Sequence, residues 1–88
     1  MATVTIRYWA AAREAAGAAS ESLEAATLAD ALSAALGSRD RERADRLRRV
    51  LARSSFLVDG QPAGARPHAG IRLSEAAVIE VLPPFAGG

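Results

Sequence analysis

The residue pattern best suited to chemistry in this chain lies at its carboxyl end, Pro83-Pro84-Phe85-Ala86-Gly87-Gly88. Pro83 and Pro84 fix two φ angles near −65° and remove two backbone donors, so strand pairing cannot continue and a stiff, extended exit is expected. Residues 83–88 reach at most roughly 20 Å, enough to enter a pocket of another protein. Gly87 and Gly88 carry no side chain that could obstruct a narrow tunnel, and they accept whatever backbone angles it imposes. The α-carboxylate of Gly88 is thus expected at the tip of a probe, with Pro83, Pro84, Phe85, Ala86 and Gly87 forming the inserted segment. A free carboxylate does not react with nucleophiles. The chemistry suggested is activation with ATP to an acyl adenylate, followed by capture by sulfur or an amine. The rest of the chain is not equipped to catalyse that step: cysteine and lysine are absent, His68 is the single histidine, and there is no G-x-x-x-x-G-K-[ST] phosphate loop. An adenylating partner is expected to use the ATP, and no cofactor is expected on this chain. His68 sits in a Pro/Gly-rich loop without a second ligand at suitable spacing, so no metal site is expected.

A folded handle must present that tail. The chain has 88 residues and a formal charge of +1, with 10 acidic side chains against 11 basic ones, every one of them arginine. Half of its residues are hydrophobic, but 22 of those 44 are alanine. The larger apolar residues suffice for one compact domain, expected over 1–82 with 83–88 as the tail. Near-neutral charge argues against a protein that coats nucleic acid. The absence of cysteine excludes a disulfide framework. No apolar run approaches the ~20 residues of a membrane span, and the amino terminus enters a strand pattern without a signal-peptide layout. The expectation is a cytoplasmic protein with no membrane and no nucleic-acid partner.

Val4, Ile6 and Tyr8 alternate with Thr5, Arg7 and Trp9, the period of a strand. The segment from Ala10 to Ala16 has helical propensity but is too short to stand alone, and Gly17 is placed to end a helical turn in the left-handed conformation. Ser20 to Ala25 reads as a second strand, completing a hairpin with a wide connection. Thr27 is placed to cap a helix by accepting from the Asp30 amide. Leu28, Ala31, Leu32, Ala35 and Leu36 form its apolar stripe, and Gly37 is expected to stop it. From Arg39 to Arg53 an amphipathic surface helix is expected. Phe56 to Val58 reads as a strand entering an Asp59-Gly60 turn, Gly60 to Gly70 as mostly loop, and Val78 to Leu82 as the last strand. The order predicts an α+β fold of β-grasp type: a mixed sheet of four to five strands, one main helix across it and a second on the surface. The first and last strands, the most apolar, are expected side by side and parallel at its centre.

The sequence resembles, over essentially its whole length, the small sulfur-carrier subunits of molybdopterin synthase in the MoaD/ThiS group of ubiquitin-like proteins. The similarity rests on the opening strand with Ala12-Arg13-Glu14 and Gly17, on Thr27 to Leu32, on Val58-Asp59-Gly60-Gln61, and above all on Leu82-Pro83-Pro84-Phe85-Ala86-Gly87-Gly88. Ser74-Glu75-Ala76-Ala77 stands where that group usually has an Asp-Gly-Asp type of turn. The resemblance implies that an E1-like enzyme adenylates Gly88 and that a sulfurtransferase donor converts it to a thiocarboxylate. It also implies that the tail enters the large catalytic subunit of molybdopterin synthase, where sulfur passes to a pyranopterin phosphate. In that group the large subunits typically form a dimer with one carrier at each end. Relatives serving thiazole or cysteine synthesis also end in Gly-Gly, which leaves those pathways open. So does conjugation through Gly88 as a protein modifier, or a plain binding module.

With Val4, Ile6, Tyr8, Ile79 and Val81 facing the helix, Trp9 and Leu82 are expected on the opposite face near the tail. With Phe85 and Pro62 they form a candidate apolar patch for a partner; the competing arrangement folds Trp9 over the sheet edge into the core. The arginines from Arg39 to Arg53 are read as a solvated face with pairs such as Glu42–Arg46 and Asp45–Arg49. Docking to an acidic partner or to nucleic acid is the other reading, the latter disfavoured by the lack of interleaved aromatics.

Overall fold

The computed structural model describes residues 1–84. Strand β1 (Ala2–Tyr8) is followed by helix α1 (Ala10–Ala16), strand β2 (Ser20–Ala25), helices α2 (Leu28–Gly37) and α3 (Arg41–Leu51), strands β3 (Ser55–Val58) and β4 (Gln61–Pro62), a 3₁₀ turn at His68–Gly70, and strand β5 (Val78–Leu82). The sheet order is β2-β1-β5-β3-β4. β1 and β5 are parallel, pairing Ile6 with Ile79 and Tyr8 with Val81, and all other pairs are antiparallel. The parallel first and last strands of the sequence reading are therefore adjacent, with β5 central. The short β4 lies within the stretch from Gly60 to Gly70 whose composition predicts mostly loop. It exists because Asp59 (φ 50°) and Gly60 (φ 80°) form the tight turn that returns the chain onto β3.

Alternation decides the faces. Val4, Ile6, Tyr8, Phe56, Ile79 and Val81 are buried and meet Ala12, Leu28, Ala31, Ala35, Leu47 and Leu51 of the three helices in one core. The expected surface helix α3 is more than a cover, since Leu47 is fully buried and Ala44 and Leu51 nearly so. Its start also differs from the expected Arg39, because Asp40 caps it by accepting from the Arg43 amide at 2.9 Å. Arg39 instead lies between α2 and α3. The 10–16 segment, too short to be helical alone, is held as α1 by packing of Ala12, Ala15 and Ala16 in the core. Gly17 ends it at φ 77°, with its amide donating to the Arg13 carbonyl at 3.0 Å.

Thr27 caps α2 as its position predicts, its hydroxyl accepting from the Asp30 amide at 3.1 Å. Gly37 does not stop α2; it is the last helical residue, and Ser38 follows in right-handed geometry. The stop comes from Arg39, whose amide donates to the Leu36 carbonyl and whose Nη1 donates to the Ala35 carbonyl at 2.6 Å. Before β5, Ala76 is held at φ 66° by its amide's bond to the Thr3 carbonyl at 2.8 Å. The Glu75 carboxylate accepts from the Thr3 amide at 3.1 Å, so side-chain and backbone bonds together make the turn that Ser74-Glu75-Ala76-Ala77 supplies without glycine.

The exposed sheet face and the tail root as candidate functional site

Parallel pairing makes β1 and β5 end at the same edge of the sheet. Trp9 leaves β1 there, its amide donating to the Val81 carbonyl at 3.3 Å, and Pro83 leaves β5 beside it. Because Tyr8 and Val81 point into the core, Trp9 and Leu82 must point to the other face. Trp9 is 43% exposed and Leu82 half-buried, which excludes the arrangement with Trp9 folded into the core. One row nearer the middle, the register aligns Arg7, Glu80, Leu57 and Pro62 across four strands.

That alignment separates residues expected to sit together. Pro62 lies two strand spacings, about 10 Å, from β5. Leu57 fills the gap, and it was missed as a site residue. Its signal was available, since a strand that buries Phe56 turns Leu57 outward. The face is also less purely apolar than expected. The Arg7 guanidinium lies 5.1 Å from the Trp9 ring centroid, and the indole N–H donates to Glu80 Oε1 at 3.2 Å. These two contacts hold the large ring in one orientation on the open face, as a preorganised contact surface requires. Phe85, the fourth residue of the expected patch, lies outside the described residues, as do Ala86, Gly87 and Gly88.

The root of the tail is described. Pro83 is half-buried and Pro84 exposed, and both line a small cleft of about 70 Å³ with Ala11, Val50 and Arg53. Neither proline can donate to a neighbouring strand, so β5 ends at Leu82 and the chain leaves between the start of α1 and the end of α3.

Behind the sheet, the Arg39–Glu21 pair ties together β1, β2 and the ends of α1 and α2. Arg39 Nη2 donates to Glu21 Oε2 at 2.7 Å and to the Ala16 carbonyl at 3.0 Å, while the Tyr8 hydroxyl donates to the same Glu21 oxygen at 2.6 Å. Burial first, then the bond to Glu21 and its negative charge, push the Tyr8 phenol well above its ordinary range, against a smaller opposing effect of Arg39. This network fixes β1, β2 and both flanking helix ends, and touches neither the open face nor the tail. The expected pairs Glu42–Arg46 and Asp45–Arg49 do not form. The ion pairs of the described residues are Arg39–Glu21, Arg43–Asp40 at 3.8 Å and Arg48–Asp45 at 2.6 Å. The His68 ring packs edge-on against Phe56 at 5.1 Å. No helix among the described residues is long and apolar enough to cross a membrane.

A mixed sheet with parallel first and last strands, its helices on one face and the other face open, is the β-grasp arrangement of ubiquitin-like proteins. The chain belongs to the ThiS family, whose model matches residues 6–88. Solved structures share its fold. The small archaeal modifier protein 1 from Methanosarcina acetivorans matches with a TM-score of 0.79 at 22% identity, covering 100% of this chain and 98% of that one. The corresponding protein from Haloferax volcanii gives 0.76 at 23% identity, with 98% and 99% covered. A chain in the complex of subunits 1 and 2 of molybdopterin-converting factor from Helicobacter pylori 26695 gives 0.66 at 21%, also with 98% and 99% covered. No curated protein matches the chain. The chain therefore has the fold of the small ThiS/MoaD carrier proteins, as its sequence resemblance implies.

Proposed function

We propose that this protein is a sulfur carrier that works through the carboxyl group of Gly88, as the small subunit of molybdopterin synthase. The observation that carries the reading is the family match through residue 88, which takes in the paired prolines and Gly87-Gly88 along with the domain. An E1-like partner joins the Gly88 carboxylate to AMP with loss of pyrophosphate. Hydrosulfide-level sulfur delivered by a sulfurtransferase donor attacks the acyl carbon, the C–O bond to AMP breaks with AMP leaving, and a thiocarboxylate remains. The large catalytic subunit then receives the tail, with Trp9, Leu57, Leu82 and Pro62 of the open face, together with Phe85, against it. ATP is bound by the activating partner, and this chain supplies the acyl group alone. The likeness to a molybdopterin-converting factor complex supports the choice of large subunit.

A second reading is favoured by the likeness to small archaeal modifier proteins: conjugation of Gly88 to amines of other proteins. Intact mass of the untagged protein from its own cells separates the two. Sulfur for oxygen adds about 16 Da, and that species is expected with the E1-like partner present and absent after deletion of Gly88. Adducts on other chains without the heavier species decide for the modifier.

A further inference from the structure

Three arginines line one wall of a groove that begins at the tail root. Arg46 and Arg49 on α3 and Arg53 just beyond it follow spacings of three and four, which place them in one stripe along the helix. The stripe faces α1, and the groove between the two helices, of about 280 Å³, has Ala11, Ala15 and Val50 as its floor. Ala11, Val50 and Arg53 also line the cleft beneath Pro83 and Pro84, so the two depressions adjoin.

Among the described residues none of these three arginines has an ion pair within 4 Å. The neighbouring carboxylates are engaged elsewhere, Asp40 and Asp45 with Arg43 and Arg48, and Glu21 with Arg39. Glu42 stands one turn before Arg46 without pairing to it, and Glu14 alone among acidic residues lines the groove. Stabilising the helix dipole calls for positive charge in the last turn but not for one face of it; Arg48 already serves that end. An arginine fork over an apolar floor suits planar carboxylates, because partial desolvation strengthens each bidentate contact. The groove has no aromatic lining on which bases could stack, which favours a protein over a nucleic acid.

We infer that the α1–α3 groove docks an acidic, Asp/Glu-bearing segment of the partner that activates the tail, so that the root at Pro83-Pro84 and the arginine stripe are covered together in that complex. The identity of that protein as a tail-activating partner rests on the carrier reading above; the groove's preference for carboxylates does not.

The test uses the full chain and two variants that each remove two charges from α3: R46Q/R49Q in the groove and R41Q/R48Q on its other faces. Both are followed by thermal unfolding to establish that they fold. A fluorescein-labelled hexaglutamate peptide is titrated at low salt, with amide shifts read by NMR. Saturable binding is expected, with shifts centred on Ala11, Ala15, Val50 and Arg53, about fivefold weaker for R46Q/R49Q and unchanged for R41Q/R48Q. Equal weakening in both variants, shifts scattered over the other arginines, no saturation, or tighter binding of an oligothymidylate of equal charge overturns the inference. In cells, the sulfur-bearing fraction is expected to drop for R46Q/R49Q alone, and an unchanged fraction rejects the assignment to a tail-activating partner. A wild-type chain that never gains sulfur defeats the carrier reading instead, and the peptide titration then decides the groove by itself.

Discussion

Tyr8 is the single tyrosine of a chain without lysine or cysteine, so between about pH 9 and 11.5 almost nothing else titrates. Its phenol is raised by burial and by Glu21. The unfolded chain therefore gives up this proton first, and stability that is complete below about pH 10 declines as pH rises above it. Urea unfolding across that window is expected to show the decline in the wild type and its absence in Tyr8→Phe; the same decline in both would assign it to another cause. Ala76 offers a prediction of opposite sign. At φ 66° an alanine is strained where glycine is not, so Ala76→Gly is expected to stabilise the fold by about 1 kcal/mol, read as a higher urea midpoint at constant slope. Residue-scale features of this kind were legible when their cause was local. Thr27 and Gly17 act on groups three or four residues away and could be placed from sequence. Arg39 could not, because its partners Glu21 and Ala16 are 18 and 23 residues distant and only the fold brings them to it.

Elements show the same division. The strands were legible because alternation is a period of two and both central strands carry it cleanly. Helix α1 reads in the sequence only as part of a wide connection because its propensity is insufficient without tertiary contacts, and three buried alanines supply them. In α3 the charge pattern was plain but its pairing was not: spacings of three are used in Arg43–Asp40 and Arg48–Asp45, where spacings of four were expected. The helix is anchored by its apolar side. Leu47→Ala is expected to destabilise by about 2–4 kcal/mol and Arg48→Ala by less than about 0.5 kcal/mol, measured by denaturant unfolding; equal effects would make α3 the mere surface helix that its composition suggests. On the opposite side of the sheet, burial of Phe56 is enough to turn Leu57 outward, but its place between β5 and Pro62 follows only from the register with Glu80 and Pro62. Trp9 is 43% exposed but its ring contacts Arg7 and bonds to Glu80, so Trp9→Ala is expected to lower stability by about 1–2 kcal/mol while the chain stays folded, read from the urea midpoint. Binding to the proposed large-subunit partner, followed by calorimetry, is expected to weaken at least tenfold. An unchanged Kd removes this face from the interface.

At the scale of the whole molecule, the parallel pairing of β1 with β5 is what gives the domain its direction. It brings the ends of both strands, the open-face Trp9 and the arginine groove to one edge, and the chain leaves from that edge through Pro83 and Pro84. An extended segment that must enter a tunnel loses conformational freedom in doing so, and the loss is smaller if the root is already restricted. Each proline restricts its residue relative to glycine by about 1 kcal/mol in the free chain. P83G/P84G is expected to lower the urea midpoint only slightly, because no sheet hydrogen bond is lost, Pro84 is exposed and Pro83 alone is half-buried. The same variant is expected to bind the large subunit roughly thirtyfold more weakly, with the loss appearing as less favourable entropy in calorimetry. Deletion of Gly87 and Gly88 from that variant provides the internal control: if the penalty arises from ordering the tail, it disappears once the tail no longer reaches its tunnel. A penalty of the same size in the truncated chain would instead assign it to direct contacts of the prolines with the partner, and the root would then be part of the docking surface rather than a stiff stem.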